Sequence, residues 1–155
     1  MLDARRLTPD AGRQPDFAGR MTPDARSKTD PKYPFEKLEV WQLAVDLTDA
    51  VYAAARSLPR AEMFALGDQM RRASVSVALN IAEGRAADSE VEFNRFLGIA
   101  LRSLIEVEAC VRLGVRLELM DARHASGICA VADPLEAKLR TLRTRLKRRR
   151  VRPSS

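Results

Sequence analysis

The chain has 155 residues, 46% apolar, 5% aromatic and 31% charged, with a formal net charge of +6; that suffices for one sizeable core and argues against several domains. Few aromatics, seven glycines and abundant Ala, Leu, Arg and Glu favour helices over sheet, because these residues lose little rotamer freedom in a helix. No run approaches the roughly 20 apolar residues of a membrane span, no apolar signal core opens the chain, and Cys110 and Cys129 match neither a metal knuckle nor a secreted disulfide framework, so the expectation is a soluble cytoplasmic protein with reduced thiols and no cofactor.

Residues 1–34 are rich in Pro, Asp, Arg, Thr and Gly, lack apolar periodicity, and nearly duplicate Leu7-Thr8-Pro9-Asp10-Ala11 as Met21-Thr22-Pro23-Asp24-Ala25. They read as a disordered leader, within which Met21 is a second candidate start. From Phe35 the pattern changes. Val40, Leu43, Ala44, Leu47, Val51, Ala54 and Leu58 recur at helical spacing, predicting a helix over Glu36–Leu58 that Pro59 ends. Arg60–Leu66 is a connector.

The second helix is predicted from Leu66 to Glu83, with Gly84 as its C-terminal cap. Its side chains divide into three faces at 100° per residue. Leu66, Met70, Ala73, Val77 and Ile81 form one apolar stripe, and Val75, Ala78, Leu79 and Ala82 a second. Gln69, Arg72, Ser76, Asn80 and Glu83 make a polar seam between them. Such seams commonly fix helix register, so Asn80 and Glu83 are expected to anchor neighbouring groups and Arg72 to meet a carboxylate such as Glu108. The second apolar stripe needs a cover. With Phe35 and Trp41 it is the candidate interface of a homo-oligomer.

Ser89 with Glu92 three residues on completes a capping box for a third helix. Its stripe is Phe93, Phe96, Leu97, Ala100, Leu101, Leu104, Val107 and Val111, and Glu92, Arg95, Arg102 and Glu106 supply ion pairs opposite. A fourth helix starts near Asp121 with Ile128, Ala132, Leu135, Leu139, Leu142 and Leu146 on its seam. Pro134 predicts a kink or restart there, leaving the last segment free to point independently. The fold expectation is therefore all-α: an antiparallel, up-down-up-down bundle over 35–147, after the leader 1–34 and before a basic tail 148–155.

Charge is concentrated at the end: residues 135–155 hold nine bases and one acid, against eleven and fifteen in 35–134. Lys138, Arg140, Arg143, Arg145, Lys147, Arg148, Arg149, Arg150 and Arg152 are the candidate phosphate contacts, against the plainer reading of a solvated helix end. No aromatic interleaves with them, so base stacking on this segment is unsupported. Catalysis finds little footing. A four-helix di-iron site needs two Glu-x-x-His motifs, whereas this chain has one histidine, His124, with Asp121 at that spacing, and no Gly-rich phosphate loop.

Five stretches resemble one bacterial family of small four-helix-bundle proteins, encoded in intervening sequences of 23S ribosomal RNA genes. They are Phe35-Glu36-Lys37-Leu38-Glu39-Val40-Trp41-Gln42; Gln69-Met70-Arg71-Arg72-Ala73; Asn80-Ile81-Ala82-Glu83-Gly84; Glu92-Phe93 with Arg95-Phe96-Leu97; and Ser103-Leu104 with Glu106 and Glu108. The resemblance implies a four-helix bundle, rings of five subunits, and a nucleic-acid or ribonucleoprotein role, since distant relatives are basic accessory proteins of retroelement reverse transcriptases. The chain departs from the family at Ala78, where proline is usual, in its residues 1–34, and at Pro134. Two functions stand against each other: a non-enzymatic oligomeric bundle that binds RNA or DNA through its basic C-terminal segment, and a protein-protein adaptor or scaffold with a client such as a reverse transcriptase.

Overall fold

Proline at position 34 opens the first turn, its fixed φ suited to a helix start, in a short 3-10 helix Pro34–Lys37. The computed structural model describes residues 30–151, so the leader reading lies outside the described residues except at its last few positions. Glu36 Oε1 accepts the Tyr33 amide at 2.8 Å, and Gln42 Nε2 donates to the Glu36 carbonyl at 3.0 Å. These bonds hold a turn apart from the helix that follows, with Leu38 extended between them (φ −78°, ψ 124°). The first long helix, α1, is therefore Glu39–Ser57 and starts three residues later than the apolar pattern suggests.

Leu58 is extended (ψ 152°), as steric conflict with Pro59 requires. A single turn, α2 (Arg60–Met63), leads into α3 (Leu66–Ala86), α4 (Glu90–Arg116) and α5 (Ala122–Val151). α1 packs on α3 and α5, and α4 packs on α3 and α5. Short links join successive long helices, which gives the antiparallel up-down-up-down bundle. Leu47 and Val51 of α1, Met70, Val77 and Ile81 of α3, Leu97, Leu104 and Val107 of α4, and Ile128, Leu135 and Leu139 of α5 are fully buried. Each contributes about 1.5–3 kcal/mol of apolar burial. The helical stripes read from spacing are the core.

Gly84 corrects the expected end of the second helix. It lies inside α3, buried, and no glycine among the described residues has positive φ, so it does not cap. A Cβ placed on it would stand 2.7 Å from Phe96 Cβ and 2.9 Å from Phe93 Cδ2. Glycine is required there because α4 passes against bare backbone. The helix stops at Ala86, with Ala87 extended (ψ 150°). Ser89 caps α4, its Oγ accepting the Glu92 amide at 3.1 Å. The capping box is only half made, because the Glu92 carboxylate turns to Arg95 Nη2 at 2.7 Å. Glu106 likewise accepts from Gln69 of α3 instead of pairing with Arg102 along its own helix.

α4 closes through Glu118, in the left-handed region (φ 56°), and the Leu119 and Met120 amides return to the Gly114 carbonyl at 2.8 and 3.1 Å. Asp121 then caps α5, its Oδ1 accepting the His124 amide at 2.8 Å. Pro134 produces no restart: α5 is one helix of 30 residues with proline inside it. The amide that proline lacks would have bonded the carbonyl of Ala130, and Ala130 is exposed, so the lost bond falls on a residue outside the core. Beyond Pro134, Leu135, Leu139 and Leu146 are buried; the basic segment is thus bound to the bundle and does not point independently.

Candidate functional site

The basic residues follow the buried α5 seam at offsets that place them on both flanks and the outer side, so they ring the helix end. Several are engaged. Lys138 Nζ pairs with Glu39 Oε1 of α1 at 3.0 Å, Arg140 with Glu136 at 2.6 Å, and Arg149 with Glu90 of α4 at 3.2 Å. Arg143 Nε donates to Asn94 Oδ1 at 3.1 Å, and its guanidinium lies where a side chain on Gly98 would stand, Nη2 being 3.1 Å from an added Cβ. Asn94 and Gly98 escaped the sequence reading; their only signal was a small and a polar residue beside the α4 stripe. Arg145, Lys147 and Arg148 are exposed and form no ion pair among the described residues. Arg150 and Arg152 have side chains outside the described set.

The polar seam of α3 meets α4, but through different members than expected. Ser76 Oγ lies 2.9 Å from Ser103 Oγ of α4. Asn80 Nδ2 donates to the Ser76 carbonyl at 2.8 Å and to its hydroxyl at 3.1 Å. Ser103 was missed, although its place between Ala100 and Val107 on the buried stripe signals an inward hydroxyl. Arg72 does not meet Glu108. Its guanidinium donates to Gln69 Oε1 at 2.8 Å, while Glu108 lies toward α5, where burial first, then Glu136 and Asp133, raise its carboxyl above the ordinary range against the opposing pull of Arg112 and Arg140. α4 turns Glu106 and Glu108 to different neighbours because they stand 200° apart. Glu83 is exposed and anchors nothing among the described residues, contrary to expectation.

The second apolar stripe of α3 borders an open cleft against α1. Val45, Thr48 and Tyr52 face Val75, Ala78 and Leu79 across about 410 Å³. Leu79 is 55% exposed, Val45 43% and Tyr52 39%, while Ala78 is packed against the core and Ala82 is half-buried. Phe35 and Trp41 are not in this cleft. They meet each other, ring centroids 5.1 Å apart.

The one histidine backs the Asp121 cap. His124 Nδ1 is 3.0 Å from both Asp121 oxygens and 3.4 Å from Ser57 Oγ. Hydroxyl and carboxylate address the same ring nitrogen, so no proton relay crosses the imidazole. The His124 amide, then its side chain, hold the Asp121 carboxyl below its usual range. Cys110 and Cys129 are free, and burial pushes the Cys110 thiol up, away from the reactive thiolate. Among the described residues no group of three or more His, Cys, Asp or Glu is arranged to hold a metal, and no helix is long and apolar enough to cross a membrane.

A family model described as 23S rRNA-intervening sequence protein matches residues 36–141. The chain belongs to that family. A crystal structure of a protein of unknown function from the S23 ribosomal protein family of Bacteroides thetaiotaomicron has the same fold. It superposes with a TM-score of 0.62 at 22% identity, covering 66% of this chain and 96% of that one. No curated protein matches. The match spans α1 and most of α5 and stops before Arg143, so the 23S rRNA-intervening sequence region contains most of the bundle while most of the basic end lies past it.

Proposed function

We propose that this member of the 23S rRNA-intervening sequence family is a non-enzymatic, oligomeric bundle of the cytoplasm that binds nucleic acid through the basic end of α5. The carrying observation is the set Arg145, Lys147 and Arg148, exposed and without ion pairs among the described residues, on a helix end where Lys138, Arg143 and Arg149 are held by neighbouring helices. Their attraction for phosphate is sequence-independent and falls steeply with salt, because binding releases condensed counterions. Several copies in one assembly multiply it by avidity. The Val45, Tyr52, Val75 and Leu79 cleft supports self-association.

The test is a gel shift with generic RNA over a salt series. Truncation after Leu139 is unsuitable, since it removes the buried Leu146. Charge reversal of Arg145, Lys147 and Arg148 together leaves the core whole and abolishes the shift if they carry binding; an unchanged shift removes them from the mechanism. The same cleft favours one second reading, a protein-protein adaptor whose client, such as a reverse transcriptase, docks against α1 and α3. Under that reading the triple reversal leaves client binding intact.

A further inference from the structure

The α5 bases carry no aromatic neighbours in sequence, yet the fold brings a ring stack to their end of the bundle. Lys138 of α5 pairs with Glu39, the first residue of α1. A cleft of about 400 Å³ runs between Leu38, Glu39 and Val40 on one side and Lys138, Thr141, Leu142 and Arg145 on the other. The 3-10 turn ahead of Leu38 therefore shares this end with the basic helix. On it, Tyr33 and Phe35 are stacked, centroids 5.5 Å apart and planes 5° from parallel, and Trp41 backs Phe35 at 57°. Tyr33 is 49% exposed, and the Lys32 ammonium lies 5.1 Å from its ring centroid.

Resting on the proposed nucleic-acid reading, we infer that the Tyr33–Phe35 stack is a platform for an unpaired base, and that the ligand of this end is single-stranded nucleic acid. Three features carry this. The stack is pre-arranged, because Pro34 fixes the turn and Glu36 holds the Tyr33 amide, so little ordering cost remains on binding. Its rings extend outward from the core, Tyr33 being the most exposed. Cations lie at both ends of the step from platform to helix: Lys32 at the Tyr33 ring, and Arg145, which has no ion pair among the described residues, across the cleft from Leu38. Stacked aromatics combined with a cationic track are what single strands bind, since every base has a π-face and every phosphate a charge. A duplex keeps its bases stacked on each other and has no use for the rings.

The experiment measures fluorescence anisotropy of one labelled RNA strand of about 12 nucleotides, alone and annealed to its complement. Full-length wild type, Tyr33→Ala, Tyr33→Phe and the Arg145/Lys147/Arg148 charge reversal are compared. The expected result is preference for the single strand, an approximately tenfold loss in Tyr33→Ala with its salt slope unchanged, and retention in Tyr33→Phe. Equal affinity for strand and duplex, or Tyr33→Ala binding as wild type does, overturns the platform while leaving the basic end in place. If wild type binds neither form at low salt, the nucleic-acid reading falls and the platform with it. Tyr33 lies outside the buried core, so its variants keep the bundle.

Discussion

Replacing Gly84 by alanine sets two known quantities against each other. Alanine in a helix interior gains about 1 kcal/mol over glycine, and on α3 alone that would stabilise. Here the new Cβ lands 2.7 Å from Phe96 Cβ and 2.9 Å from Phe93 Cδ2. The Phe93 ring can rotate, but Phe96 Cβ is fixed to the α4 backbone, so α3 and α4 must part by several tenths of an ångström. Such overpacking costs about 1–3 kcal/mol, and the upper part of that range, about 2–3 kcal/mol, applies where a backbone-fixed Cβ forces two helices apart. The balance is a loss of about 1–2 kcal/mol, a fall in Tm of about 3–8 °C for a domain of this size. Gly127→Ala is the control. It is interior to α5, exposed, with nothing within 4 Å of an added Cβ, so propensity acts alone and Tm rises by about 2–4 °C. Both are read by thermal unfolding followed by circular dichroism. A Gly84→Ala protein as stable as wild type, or more so, would refute the close-approach argument.

Arg143→Ala is expected to lower stability by about 0.5–1.5 kcal/mol through loss of the Asn94 bond and the packing over Gly98, whereas Arg148→Ala leaves urea unfolding unchanged; equal effects would show that neither arginine is structural. Leu79→Glu places charge in the α1–α3 cleft, and light scattering should then return the 17.3 kDa monomer with wild-type helicity; an assembly of unchanged mass removes the cleft from self-association. Glu108→Gln is expected to stabilise at neutral pH. The folded state raises this carboxyl, so its charged form carries a penalty that is complete above the raised pKa and relieved as pH falls toward the ordinary value near 4; a stability difference that grows on acidification contradicts the assignment.

The bundle was legible because its stripes are long. Leu97 to Val111 and Ile128 to Leu146 repeat over enough turns that no other burial fits. Local signals misled where tertiary contact decides. Gly84 resembles a cap, and only the passage of Phe93 and Phe96 shows that it is a contact point. Pro134 resembles a break, but the residue whose carbonyl it frees, Ala130, is exposed, and Leu135, Leu139 and Leu146 beyond it remain buried. The Glu36 start failed because a side-chain bond to Tyr33 diverts the chain into a tighter turn. For the basic end, charge and position were readable. Which bases are held, and by Glu39, Glu90 or Asn94, depends on partners 49 to 99 residues away, which no local pattern carries.

The late start of α1 has a mechanical consequence. At 1.5 Å per residue, α1 is about 28 Å long and α5 about 45 Å, and Glu39 already meets Lys138. Some 20 Å of α5 therefore runs past the first helix, lying along α4 as far as the Arg149–Glu90 pair. That stretch, more than two fifths of the longest helix, rests on α4, and Arg145 stands on it beside the start of α1. A force applied to the tip is met first by the Arg149–Glu90 pair and buried Leu146, so load on this end reaches the α4–α5 pair before it reaches α1.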